Sequence, residues 1–154
     1  MIYLDNAATS WPKPPVVGDI VRDFILHHSA NPGRAAHRMS ANAARMVFDA
    51  REAVARLLGI ADSRYLLFTG NATESLNLAL LGLLRPGDHV VTTSLEHNSV
   101  MRPLRYLAQV RGIRVSIVKA DSAGRLNPAD FREALTVETR LVVVNHASNV
   151  AGTL

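Results

Sequence analysis

The stretch His89-Val90-Val91-Thr92-Thr93-Ser94-Leu95-Glu96-His97-Asn98-Ser99-Val100 decides the fold. Five residues rich in β-branched side chains stop at a polar cluster, and a helical segment follows from Val100 to Val110. Arg114 to Val118 then reads as another strand. Upstream, the short apolar run Tyr65-Leu66-Leu67-Phe68-Thr69 precedes a helical segment from Thr73 to Leu84, and Arg85-Pro86-Gly87-Asp88 turns the chain into His89. Downstream, a short helix spans Asn127 to Leu135, with Pro128 near its start, and a valine-dense strand spans Leu141 to Asn145. Strands alternating with helices predict an α/β fold, three-layered, with a mostly parallel sheet of about four strands. The strands are apolar throughout rather than alternating, as expected where helices cover both faces.

The N-terminal part reads differently. Residues 1–15 are small, polar and proline-rich, and form a segment apart from the domain expected over 16–154. A first helix starts near Pro15, with Val17, Ile20, Val21 and Phe24 on one stripe. Asn31-Pro32-Gly33 is a turn. A second helix runs from about Ser40 to Leu58, with Ser40 as N-cap and Gly59 as C-cap.

Composition narrows the function classes. The chain has 154 residues, 48% of them apolar and 19% charged, which suits a globular domain. The net charge is +4, yet the arginines are scattered singly from Arg22 to Arg140 and do not interleave with aromatics. A nucleic-acid footprint would be clustered, so a solvated face accounts for these charges better. Cysteine is absent, which removes disulfides, thiolate metal sites and thiol nucleophiles from this stretch. No apolar run reaches membrane-spanning length and no leader pattern opens the chain, so a cytoplasmic protein is the expectation.

Ligands of parallel sheets collect at the carboxyl ends of the strands. Three polar clusters fall there: Gly70-Asn71-Ala72-Thr73-Glu74, Glu96-His97-Asn98-Ser99 and His146-Ala147-Ser148-Asn149. The first leads directly into a helix, whose free N–H groups and positive dipole end suit a phosphate. Taken alone, a bare cap by Thr73 is the simpler account. The segment matches neither nucleotide-loop pattern. His97 could be a base, a metal ligand or an aromatic plate against a flat ring, although a lone histidine is more often a surface residue. Glu96 reads as structural. Asn149 could aim its amide at a ligand or simply close an Asx-turn. The histidines lack mutual ligand spacing, so no metal is assigned.

At this point the sequence resembles a known family. Tyr3-Leu4-Asp5-Asn6-Ala7-Ala8-Thr9, Asn31-Pro32-Gly33-Arg34 with His37, Phe68 to Leu78, Glu96 to Val100, and Asn145 to Thr153 are similar, in order and spacing, to the motifs of cysteine desulfurases of the class V aminotransferase group, fold-type I enzymes dependent on pyridoxal 5′-phosphate. The resemblance implies that Ala72 and Thr73 hold the cofactor phosphate and that His97 stacks on the pyridine ring and moves protons. Asn149 would lie beside the ring's phenolic oxygen, and Asn6, Ala7 and Ala8 would line the substrate approach. It further implies a homodimer, L-cysteine or a related amino acid as substrate, and a sulfur-acceptor protein.

The family's Schiff-base lysine, the aspartate facing the pyridine nitrogen, the substrate-binding arginine and the sulfur-carrying cysteine lie downstream of the Ser-Asn motif, beyond Leu154. Neither Lys13 nor Lys119 matches the lysine. The family's first sheet strand pairs with its last, so Tyr65–Thr69 would lack its neighbour. Residues 1–15 would pack on a small domain that is also absent. The expectation is therefore the N-terminal portion of such an enzyme, truncated and inactive alone. A selenocysteine lyase, an aminotransferase or a non-enzymatic phosphate-binding module are the alternatives.

Overall fold

Val90 and Val91 point to opposite faces of one strand, and both are fully buried. That strand, β1 (His89–Thr93), is buried along its whole length, so it takes the centre of the sheet. β2 (Arg114–Val118) and β3 (Thr139–Val142) pair with it in parallel on either side, in the order β2-β1-β3. The computed structural model describes residues 2–33 and 37–153. Arg34, which closes the Asn31–Arg34 motif, and Leu154 lie outside the described residues.

The chain divides into two compact units, residues 1–68 and 69–154. In the first, α1 (Pro15–Asp23) starts at its proline and runs on into a turn of π-helix over Phe24–His28. Ile20, Val21 and Phe24 of the expected stripe line a shallow apolar hollow with Met46, Val47 and Ala50 of α2 (Arg38–Leu57). The N-cap of α2 is His37, not Ser40: the His37 ring nitrogen Nδ1 accepts from the Ser40 N–H at 3.2 Å. Ser40 is buried and donates its hydroxyl to the Asn31 carbonyl at 2.7 Å. Gly59 follows the helix with φ +67, as a helix-ending glycine should.

The expected strand Tyr65–Thr69 does not form. Ser63–Tyr65 make a single 3₁₀ turn, and the residues after it join no sheet. Tyr65 and Leu67 are 83% and 71% exposed. The sheet therefore holds three strands among the described residues, not four. An apolar run becomes a strand only where a neighbour takes its backbone groups, and among the described residues none pairs with this one.

In the second unit α3 (Ala72–Leu83) and α4 (Asn98–Arg111) pack together over β1. Leu80, Leu84, Val90, Val100, Leu104, Leu107 and Ile113 form the core between them. Arg111 Nη1 donates to the Leu81 and Leu84 carbonyls at 2.9 and 2.8 Å, so the two helices end together as well as begin together. α5 (Pro128–Ala134) packs against β2. Its crossover moves along the sheet opposite to that of α4, so the right-handed rule puts it on the other face. Only β1 is buried throughout; Ile117 of β2 and Val142 of β3 are about half exposed, because nothing among the described residues covers them.

Polar side chains tie the strands at both ends, a buried one at the start and an exposed one at the finish. His89, 3% exposed, bonds Thr139 Oγ1 through Nδ1 at 2.8 Å and Ser116 Oγ through Nε2 at 2.9 Å, bridging β3 and β2. At the other end Ser94 N donates to the Val118 carbonyl and Ser94 Oγ accepts from Ala120 N, both at 2.9 Å. The loop after β2 closes on Asp121, whose carboxylate accepts from the backbone N–H groups of Arg125 and Ala123. Those bonds, led by the one from Arg125 and helped by the nearby Arg125 charge, hold the carboxyl below its usual range, against the effect of desolvation. Gly124 in that loop has φ +75, and a Cβ there would lie 3.1 Å from Thr153 Cγ2 and 3.2 Å from Ala151 Cβ.

His89→Ala should lower the free energy of unfolding in urea by about 2–3 kcal/mol, since two buried hydrogen bonds and a packed ring are lost; an unchanged midpoint would deny the bridge. Gly124→Ala should cost about 1–2 kcal/mol in thermal unfolding, through the left-handed backbone and the contact with Thr153. Because the folded Asp121 carboxyl is more acidic than the unfolded one, its contribution is present above the ordinary carboxylate pKa and is lost as pH falls through the lowered value. Asp121→Asn should therefore lower stability near neutral pH, change it little in acid, and so flatten the acid limb of the stability profile, read as urea midpoints across pH.

Candidate functional site

The polar clusters after the strands meet through specific bonds. Glu96 Oε1 accepts from Thr93 Oγ1 at 2.9 Å and from the Asn145 N–H at 2.7 Å. This carboxylate joins the loop after β1 to the loop after β3, so its role is structural. In the β3 loop, the buried Ser148 accepts with its hydroxyl from the N–H groups of Val150 and Ala151 at 3.3 and 3.0 Å. Ser148 N and Thr153 O then close the loop at 2.9 Å.

The N-terminus of α3 is capped by Asn71, not by Thr73. Asn71 Oδ1 accepts from the Glu74 N–H at 2.9 Å, and Glu74 reaches back to accept from the Gly70 N–H at 2.7 Å. This reciprocal capping uses the third N–H of the helix and leaves those of Ala72 and Thr73 without a partner among the described residues. The Thr73 hydroxyl, relieved of capping, has none either.

α4 is capped by a histidine. His97 Nδ1 accepts from the Ser99 N–H at 3.1 Å and lies 2.8 Å from Ser99 Oγ. An atom that accepts from a backbone N–H carries no proton, so the neutral ring holds its proton on Nε2. The ring is thereby oriented through its Nδ1 edge, and the residue as a whole is exposed.

Between the two helices lies a cavity of about 530 Å³, lined on the α3 side by Thr73, Asn77 and Leu81 and on the α4 side by His97 to Ser99, Arg102, Pro103 and Tyr106. Thr73, Asn77 and Leu81 stand at i, i+4 and i+8, as do Asn98, Arg102 and Tyr106, so each set is one face of its helix. The polar end of the cavity sits at both helix N-termini, and its lining includes no carboxylate. A volume in the range of small-molecule sites, two N-terminal N–H groups, a free hydroxyl and an oriented imidazole fit a phosphorylated flat ring.

The structure thus brings Thr73 and His97 into one cavity, with Ala72 in the adjoining turn. Asn149 is exposed in the turn after β3 and is not among the cavity's lining residues. The turn there is made by the Ser148 hydroxyl, not by an Asn149 side chain. Asn6, Ala7 and Ala8 form an exposed turn in the first unit; Asn6 Oδ1 accepts from the Trp11 N–H at 2.9 Å, and the Tyr3 hydroxyl donates to the Thr9 carbonyl at 3.0 Å. Arg102 and Asn77 carried no signal in the sequence, because only the packing of α3 on α4 makes them neighbours of Thr73. Among the described residues no cluster of side chains could hold a metal ion, and no helix is long and apolar enough to cross a membrane.

Known proteins resemble the chain along nearly its whole length. A probable cysteine desulfurase of Methanothermobacter thermautotrophicus is 38% identical over 154 residues, which span 99% of this chain and 38% of that protein. One of Mycolicibacterium paratuberculosis is 36% identical, and the match spans 100% of this chain and 23% of the relative. Among solved structures, the apo cysteine desulfurase of Thermococcus onnurineus superposes with a TM-score of 0.90 at 36% identity, covering 98% of this chain and 38% of that one. A structure described as SspA in complex with cysteine superposes with a TM-score of 0.85 at 29% identity and covers 97% and 43%. The chain therefore spans well under half the length of these relatives. The profile of the class-V aminotransferase family matches residues 2–154, and the chain belongs to that family.

Proposed function

We propose that this chain is the cofactor-cradling portion of a pyridoxal-phosphate-dependent cysteine desulfurase, which converts L-cysteine to L-alanine and passes the sulfur to a cysteine of the enzyme. The observation that carries the reading is the cavity that joins Thr73 and His97 at the N-termini of α3 and α4. The names of the relatives supply the reaction, and the free donors of Ala72 and Thr73 supply the physical fit.

When bound, pyridoxal phosphate supplies an electron-withdrawing ring that weakens the bonds at the amino-acid α-carbon. The chain's own residues bind and orient. The N–H groups of Ala72 and Thr73 and the Thr73 hydroxyl donate to phosphate oxygens, reinforced by the dipole of α3. His97 lays its ring face against the pyridine, and Ser99 fixes its rotation. The Nε2 proton of this cavity-lining histidine would be the one given up or regained during the reaction. Asn149 would direct its amide at the ring's phenolic oxygen, from a loop that Glu96 anchors to the His97 loop. Asn6, Ala7 and Ala8 would shape the entry of the amino acid. A homodimer and a sulfur-accepting partner belong to the same reading.

This stretch alone does not complete the reaction. Of its two lysines, Lys13 donates to the Ser10 carbonyl at 2.9 Å in the first unit, and Lys119 lines a separate hollow with Asp121, Arg125 and Asp130. Neither is placed among the residues that line the Thr73–His97 cavity.

Equilibrium dialysis with pyridoxal phosphate should show binding by the chain that weakens about tenfold in Thr73→Val, as expected for one lost charge-assisted hydrogen bond. The isolated chain should form no alanine from L-cysteine above the rate of free cofactor. Borohydride-trapped cofactor on one specific lysine together with turnover would contradict the incomplete-site reading. Equal binding by Thr73→Val would contradict the phosphate role of that residue.

A further inference from the structure

Among the described residues Arg102 is the one full positive charge that lines the α3–α4 cavity, and no carboxylate lines it. The other ends of the same helices show what such a charge is for. There Arg111 places its guanidinium on the Leu81 and Leu84 carbonyls, at the negative end of α3. Arg102 has no such employment: among the described residues it forms no ion pair, whereas Arg45, Arg64, Arg114 and Arg125 each have an acidic partner. Its place in the helix also matters. It sits four residues after Asn98, and helical side chains lean toward the N-terminus, so the position lets a guanidinium reach the first turn of α4, where Asn98 and Ser99 line the cavity's polar end. Across the groove lie Thr73 and, one turn on, Asn77.

Two positive helix ends and an unpaired guanidinium around one hollow make a site that selects for anionic charge. We propose that Arg102 is a positioning and specificity residue that pairs its guanidinium with the cofactor's phosphate and so makes the cavity prefer the phosphorylated ring to the unphosphorylated one. This rests on the cofactor reading given above and adds to it a residue from α4, on the helix opposite the Ala72–Thr73 cradle. A phosphate monoester carries nearly two negative charges at neutral pH, more than two backbone N–H groups and a hydroxyl neutralise, and a guanidinium supplies the fork of donors that suits it.

The test uses the 154-residue chain and two probes that lack an aldehyde, pyridoxine 5′-phosphate and pyridoxine, so that no imine with Lys13 or Lys119 obscures the binding. Calorimetric titration should show that the chain prefers the phosphate ester. Arg102→Gln should lose about tenfold in affinity for the ester, the size expected for a charge-assisted pair, and nothing for pyridoxine. Arg102→Lys should recover part of the loss. Arg102 is exposed, so neither variant should shift the thermal midpoint, and a folding defect would be seen there. If the wild-type chain prefers the ester and Arg102→Gln prefers it by the same ratio, the role of Arg102 is overturned and the cofactor reading stands. If the wild-type chain does not distinguish the two probes, the cofactor reading falls and the Arg102 assignment falls with it.

Discussion

Two helices lying side by side in the same direction bring like ends of their dipoles together, and that arrangement governs the second unit of this chain. α3 and α4 share it because each leads into a parallel strand: α3 into β1, α4 into β2. A parallel sheet forces parallel helices on a face. The hydrophobic contact between Leu80, Leu84, Leu104 and Leu107 holds them against the cost. At the carboxyl ends, Arg111 supplies the opposite charge directly. At the amino ends, α4 carries no acidic residue in its first turn, and the carboxylate of Glu74 in α3 turns away to Gly70. The Glu74 carboxylate offsets part of the charge at α3, and an anionic ligand would supply the rest and that at α4. The candidate site is thus a consequence of topology before it is a matter of particular side chains.

Particular side chains then sharpen it. Capping by Asn71 removes one N–H from competition and leaves the two before it free, so the site's donors are those the cap does not use. Capping by His97 does two things with one ring: Nδ1 satisfies the Ser99 N–H, and the same bond sets the tautomer and the tilt of the exposed face. Glu96, beside it, fastens the β3 loop to the β1 loop through Asn145. The positions that would touch a ligand are therefore held by hydrogen bonds one layer behind them, which is how a site on loops acquires a defined geometry.

Much of this was legible in the sequence, and the part that was not has physical causes. His89–Thr93 and Arg114–Val118 are strands at their expected limits, because each is a β-branched run bounded by a glycine that turns the chain, Gly87 and Gly112. Tyr65–Thr69 shows the same local pattern and is no strand, since pairing depends on a neighbour that local pattern does not encode. The caps of α2 and α4 were hidden because histidine is outside the usual set of capping residues, and so Ser40 drew the attention that belonged to His37. Thr73 and His97 were legible as separate strand-end clusters. That they share a cavity with Arg102 and Asn77 follows from the register of α3 against α4, a tertiary fact. Only the family resemblance favours a phosphate at Gly70–Glu74, because taken alone the segment reads better as a bare cap.

On the proposed reading, the amino ends of α3 and α4 together hold a phosphate group. Amide chemical-shift mapping with inorganic phosphate tests it most directly, since it reads each N–H and needs no turnover. Ala72, Thr73 and Asn98 should move together and saturate with one dissociation constant. Shifts centred instead on the hollow around Lys119 and Arg125, or none at the two helix ends, would contradict the account.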